Sequence, residues 1–271
     1  MGNIYKIFRR GVGGSNPLAP ISISMNLQFF LTSDDGYFSE GFKNLLDFFK
    51  KNNLKYFSII PEKNLSGISH AISLDKFIEM KKMEENVYVI NGTPVDAVLL
   101  ALFGDLNYEK PDIIISGINR GFNLGLDVLY SGTVAGVREG FIYGISGIAI
   151  SIGDGEKIYW NTAIFYFEKI LNYILKNFEK MNKFFWNINV PNLEKEKIEG
   201  IEWTHLGKIH YLNPVEVVEK NKKFKIAGKI KFVEEKGTDV YAVLSNKISI
   251  TPLHIFGEKE GEFEDKGFIK F

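Results

Sequence analysis

The chain has 271 residues, 33 Lys+Arg against 33 Asp+Glu, and no cysteine. The missing thiol excludes disulfide scaffolds, thiolate zinc sites, Cys-ligated iron–sulfur clusters and cysteine nucleophiles. Zero net charge makes no electrostatic case for a nucleic-acid polymer or an acidic membrane, and 45% apolar with 24% charged residues is a globular composition.

The first 33 residues carry Lys6, Arg9 and Arg10 but no acid before Asp34. Residues 11–20 are small and Gly/Pro/Ser-rich, without periodicity. No apolar stretch directly follows Arg9-Arg10, so a secretory leader is not read here. Residues 1–24 are therefore read as an N-terminal extension, disordered or lying ahead of a misplaced start, with the body opening at Met25. A run at 27–32 has strand character and stops at Ser33-Asp34-Asp35-Gly36. Ser39 then caps a helix whose Phe42, Leu45, Leu46 and Phe49 share one face, and Asn52-Asn53 end it. A second strand at 56–60 is closed by Pro61, and a polar loop occupies 62–70. A strand at 87–90 follows. Thr93-Pro94 reads as N-cap and first turn of a helix with Val95, Val98, Leu99 and Leu102 on one face. The strand at 112–116 has a continuously apolar centre, the pattern of a strand buried on both sides of a parallel sheet. Thr133 is placed to cap a helix running to about Tyr143, before a strand at 147–152 and an amphipathic helix at 159–177.

This alternation predicts an α/β fold: a Rossmann-like, doubly wound, mostly parallel sheet. The division expected is an α/β catalytic core at 25–185 and a β-rich C-terminal extension at 186–271 that serves oligomerisation. Strands are expected in that extension at 186–190, 201–206, 224–233, 240–244 and 247–251, with a hairpin turn at Ser245-Asn246.

In an open α/β sheet the loops at the carboxyl ends of the strands converge on a crevice that binds ligands. Asp34 and Asp35 follow the first strand, Ser66 lies in the loop after the second, and Asn119 follows the strand at 112–116. Two adjacent carboxylates repel unless a cation sits between them, and oxygen-only donors suit Mg²⁺ or Mn²⁺ rather than zinc. Taken singly, Asp34-Asp35-Gly36 is also an ordinary turn, Ser66 a solvated hydroxyl and Asn119 a loop residue. Ser131-Gly132-Thr133 opens a helix, where free N–H groups and the dipole favour a phosphate, although a plain Thr cap is the commoner reading. Arg120 and Arg138 offer charge nearby, and His70 is close enough in sequence to line the crevice. His205, His210 and His254 show no ligand spacing. Neither the dinucleotide fingerprint nor a Walker A loop is present.

The segments at 31–36 (LTSDDG), 92–96 (GTPVD), 116–125 (SGINRGFNLG) and 130–134 (YSGTV) together resemble the SurE family of survival-protein nucleotidases. Asn189-Val190-Pro191, Gly237-Thr238-Asp239 and 250–253 (ITPL) resemble its C-terminal part, in the family's order. The resemblance implies a metal-dependent phosphomonoesterase that hydrolyses nucleoside 5′-monophosphates. Its metal ligands would be Asp34, Asp35, Ser66 and Asn119, holding one divalent cation per subunit. Asp34, Asp35 and Asn119 would be catalytic, and Ser131, Gly132 and Thr133 would bind phosphate. Broad 3′-nucleotidase or exopolyphosphatase activity, or a nucleotide-binding module without turnover, are the competing expectations. A cytoplasmic homodimer or homotetramer is expected, with a nucleotide substrate and no nucleic-acid polymer or membrane partner. Ser33 stands where the family usually has Asn, and Phe122 where Pro is common.

Overall fold

The computed structural model describes residues 26–226 and 228–258; the expected N-terminal extension lies outside them. The first strand, β1 (Phe29–Thr32), leads through the Asp pair into α1 (Glu40–Lys51). Ser39 caps α1 by accepting the Phe42 N–H, and Asn52 closes it. Next come β2 (Tyr56–Pro61), β3 (Met80–Glu84), β4 (Val87–Ile90) and α2 (Pro94–Phe103). Thr93 and Asp96 form a reciprocal capping box at the start of α2, with Pro94 in its first turn. Then follow β5 (Ile113–Arg120), a 3-10 turn (Gly125–Leu129), α3 (Gly132–Ile142), β6 (Ser146–Ile152), α4 (Trp160–Asn177) and β7 (Phe185–Val190).

These strands form one sheet in the order β4-β2-β1-β5-β6-β7, all parallel. Counted among themselves, that is the 3-2-1-4-5-6 order of doubly wound nucleotide-binding folds, and the order reverses between β1 and β5. Alternation along each strand feeds two cores. Phe29 and Leu31 of β1, with Ile113 and Ile115 of β5, pack with Phe42 and Phe49 of α1 and Phe167 of α4. Phe30 and Ile114 point the other way, to Val98 of α2 and Val134 and Val137 of α3. The apolar centre of β5 is thus buried on both faces, as its sequence predicts. Within the described residues no helix is long and apolar enough to cross a membrane.

The chain beyond residue 185 both completes this sheet and leaves it. β7 extends it past β6, and β13 (Lys247–His254) pairs antiparallel with β7 and parallel with β8 (Gly200–Trp203). At the edges, β3 pairs antiparallel with β4, and β14 (Gly257–Glu258) with β13. Between β8 and β13 the chain makes an extended hairpin arm. β9 (Ile209–Leu212) pairs with β12 (Lys229–Phe232), and β10 (Val215–Glu219) with β11 (Lys223–Ile226) inside it.

Several expectations are corrected here. The single strand expected at 224–233 is two strands, because its two ends pair with different partners. The expected strand at 240–244 is α5 (Asp239–Leu244). Its β-branched residues suggested extension, but the Thr238 hydroxyl oxygen accepts the Tyr241 N–H and nucleates a helix. Ser245 and Asn246 therefore end a helix instead of turning a hairpin. β3, β9 and β10, four or five residues long and mostly exposed, carry no periodic signal.

Candidate active site

The order reversal between β1 and β5 sets where the polar clusters meet. Asp34 lies just past β1 and is 3% exposed. The N-terminus of α3 faces it. Gly132 N–H donates to its Oδ2 at 3.1 Å, and the Thr133 hydroxyl donates to its Oδ1. A Cβ on residue 132 would stand 2.7 Å from the Asp34 Cβ and 2.7 Å from the Ile68 side chain, so glycine is what allows this approach. Burial pushes the Asp34 carboxyl above its ordinary range, against the pull of Thr133 and the amides of α3.

Asp35 turns the other way, toward β5. The Arg120 N–H donates to its Oδ2 at 3.0 Å, and Asn64 Nδ2 donates to its Oδ1 at 3.3 Å. Its pKa is pushed up to about 6, chiefly by burial and further by the Asp34 charge, while Arg120 and Ser66 act to lower it. Ser66 is joined to the pair through Asn64, whose Oδ1 accepts both the Ser66 N–H at 2.8 Å and its hydroxyl at 2.7 Å. Leu65 N–H also bonds the Asp34 carbonyl at 2.7 Å, which draws the loop after β2 onto the carboxylates.

Asn119 reaches the same place from β5. The strand loses register with β6 between Ser116 and Asn119. Such irregularities re-aim the side chains that follow them. Gly117 sits at φ 132°, where an added Cβ would come within 2.3 Å of the Ile150 carbonyl oxygen. Asn119 Nδ2 donates to the Gly121 carbonyl at 2.8 Å, which leaves its Oδ1 as the atom able to coordinate a cation.

Three expectations change in detail. Thr133 is not the cap of α3: Ser131 is, accepting the Val134 N–H at 3.1 Å. The first-turn donors of α3 are engaged by the protein's own Asp34 carboxylate. Arg120 and Arg138 do not face the carboxylates either. The Arg120 guanidinium pairs with Asp154 at 2.7 Å and bonds the Gly155 carbonyl at 3.0 Å. Arg138 is buried and bonds the Val128 carbonyl at 3.2 Å. Asn64, which bridges Asp35 and Ser66, escaped the sequence reading, because a polar residue in an aperiodic loop carries no pattern.

The donor set is chemically uniform. Asp34, Asp35, Ser66 and Asn119 all offer oxygen, and the nearest guanidinium is committed to Asp154. Two partly desolvated carboxylates side by side, with no basic side chain bonded to either among the described residues, fit a hard divalent cation.

Comparison with known proteins identifies the family. The family model described as survival protein SurE matches residues 29–213. A protein of Nitrosomonas eutropha named 5′-nucleotidase SurE is 38% identical over 239 residues, covering 84% of this chain and 93% of its own. One of the same name from Aquifex aeolicus is 38% identical over 232 residues, with coverage of 84% and 92%. The crystal structure of the SurE protein from Aquifex aeolicus superposes with a TM-score of 0.74 at 37% identity, covering 84% of this chain and 93% of that one.

Proposed function

The chain belongs to the SurE survival-protein family, and from that premise we propose that it is a hydrolase that converts nucleoside 5′-monophosphates and water to nucleosides and phosphate. The observation that carries this reading is the convergence of Asp34, Asp35, Ser66 and Asn119 where β1 and β5 part, in a chain similar to proteins named 5′-nucleotidase.

In this reading the four side chains hold one divalent cation, Mg²⁺ or Mn²⁺. When bound, the cation supplies Lewis-acid neutralisation of the phosphate charge and lowers the pKa of water. The chain's own groups do the rest. Asp34, fixed by two donors from α3, presents a buried and oriented carboxylate to the reacting phosphorus. The Ser131 hydroxyl and the positive end of the α3 dipole, whose first-turn donors Asp34 takes, favour phosphate oxygens beside them. Asn119, braced on Gly121, fixes the phosphate's orientation. Phosphoryl transfer asks mainly for positioning and charge stabilisation, so these parts suffice. Asp34 acts either as base toward water or as nucleophile. The stereochemical course at a chiral phosphorothioate ester separates the two, since inversion at phosphorus marks direct attack by water and retention a covalent aspartyl intermediate.

We further assign assembly as a homodimer or homotetramer in the cytoplasm. The support is the apolar face of β10 and β11, where Val215 lies opposite Ile226 and Val217 opposite Phe224, all exposed. The decisive experiment is phosphate release across a nucleotide panel with added Mn²⁺ or Mg²⁺ and with EDTA. Release from 5′-monophosphates that EDTA abolishes is expected; release unaffected by EDTA, or none, overturns the reading.

A further inference from the structure

We propose that His70 and Glu139 are positioning residues that latch the loop carrying Ser66 against α3, so that cation affinity depends on a contact outside the donor set. This rests on the reading of Asp34, Asp35, Ser66 and Asn119 as a cation site.

The connection between β2 and β3, residues 62–79, contains no helix or strand. A segment of this kind is held in place only by the bonds it makes to its surroundings. Its near end is tied to the Asp35 carboxylate through Asn64 and to the Asp34 backbone carbonyl through Leu65. Its far end is tied to α2: the Thr93 hydroxyl donates to the Ala71 carbonyl at 2.7 Å, and the Ser73 N–H and hydroxyl donate to Asp96 at 2.9 and 2.6 Å. Between these ends the backbone turns through Gly67 and Ser69, both at positive φ. Ser69 fastens to the 3-10 turn by bonds to the Tyr130 and Leu129 carbonyls, at 2.8 and 2.6 Å. His70 fastens to α3 itself, its Nε2 lying 2.7 Å from Glu139 Oε2.

Two features mark this contact as more than surface decoration. Glu139 is only 7% exposed, and a buried carboxylate without a donor is costly. The His70 Nδ1 is buried with no partner among the described residues, so Glu139 alone orients the ring by hydrogen bonding. α3 therefore serves as one rigid reference for two things. Its first turn holds Asp34, and Glu139, about two turns on, holds the loop that brings Ser66 to the same point. Without the latch, the middle of the loop keeps only the Ser69 bonds to Leu129 and Tyr130, and Ser66 gains slack although both loop ends stay tied. Side chains that orient ligands without binding the metal typically change metal affinity about 10–100-fold.

The test is Mn²⁺ binding to the metal-free protein, followed by the electron paramagnetic resonance signal of free Mn²⁺. Limited proteolysis of the 62–79 loop serves as a metal-independent readout. His70→Ala is expected to weaken Mn²⁺ binding about tenfold and to speed cleavage in the loop. His70→Gln places an amide nitrogen near the position of Nε2 and is expected to stay within about twofold of wild type. Glu139→Gln keeps an acceptor opposite the ring and is expected to behave likewise. An unchanged affinity in His70→Ala overturns the latch, even if its Tm falls. Equal weakening in His70→Ala and His70→Gln, or a tenfold loss in Glu139→Gln, overturns it as well. A wild-type protein that takes up no Mn²⁺ overturns both the latch and the cation site, whereas the other failures strike the latch alone.

Discussion

Asp34 and Phe224 sit in opposite kinds of surroundings. Asp34 is a charged group made almost inaccessible, with both oxygens accepting donors from α3. Phe224, on the hairpin arm, is a large apolar group left 56% exposed, and its neighbour Ile226 is 83% exposed. The crevice takes every proposed donor from one chain, between β1 and α3. The arm shows an apolar face that the described residues do not cover. Burying a carboxylate is costly and is tolerated where a ligand repays it, while exposing an apolar ribbon is costly and is tolerated where another surface covers it. In the proposed function the two regions divide the labour: chemistry within the subunit, association on the arm.

The largest effect expected of this division is at Asp34. Asp34→Ala should reduce turnover on the order of 10³-fold or more, with an unchanged circular dichroism spectrum and unchanged oligomer. Retention of near-normal turnover would move the chemistry elsewhere. Gly132→Ala should follow, because its Cβ would meet Asp34 and Ile68 at 2.7 Å. Displacing a carboxylate by about an ångström costs roughly 10²-fold in kcat; a variant with wild-type kcat would mean that α3 does not set the position of Asp34.

Asp35→Asn should separate stability from activity. The Asp35 pKa is raised in the folded state, so its contribution is favourable at low pH and is lost as pH rises from the ordinary carboxylate range through about 6. At pH 7 in EDTA, denaturant titration should therefore find Asp35→Asn more stable than wild type by about 2 kcal/mol. Equal stability would mean that the carboxylate is not strained without a cation. The smallest effect on chemistry is expected on the arm. Phe224→Ser should shift the sedimentation profile toward smaller species while kcat per site stays within about twofold. A parallel collapse of kcat would break the division, since it would make the crevice depend on the arm.

The sequence carried the crevice better than the arm, for a physical reason. Cap residues such as Ser39 and Thr93, and the apolar alternation that places Phe29 and Phe30 on opposite faces, are local signals that packing reinforces. The expected convergence of Asp34, Asp35, Ser66 and Asn119 needed only the rule that ligands gather at carboxyl strand ends. What escaped were pairings over long separations. The bridge of Asn64 to Asp35 and the contact of His70 with Glu139 join residues that no periodicity relates. On the arm, strand propensity was read where Thr238 caps a helix, and one strand was read where two pair with different partners. There burial gives little guidance, because much of the arm is exposed among the described residues.

The order of these regions along the chain sets a schedule for synthesis. Every proposed donor lies between Asp34 and Thr133, while the arm begins only at Ile209. A ribosome therefore releases the complete donor set while the arm is still unmade, and chains generally fold from the N-terminal side as they emerge. The apolar face of the arm emerges after β1 to β8 and before β13, when the sheet that anchors it is already largely translated.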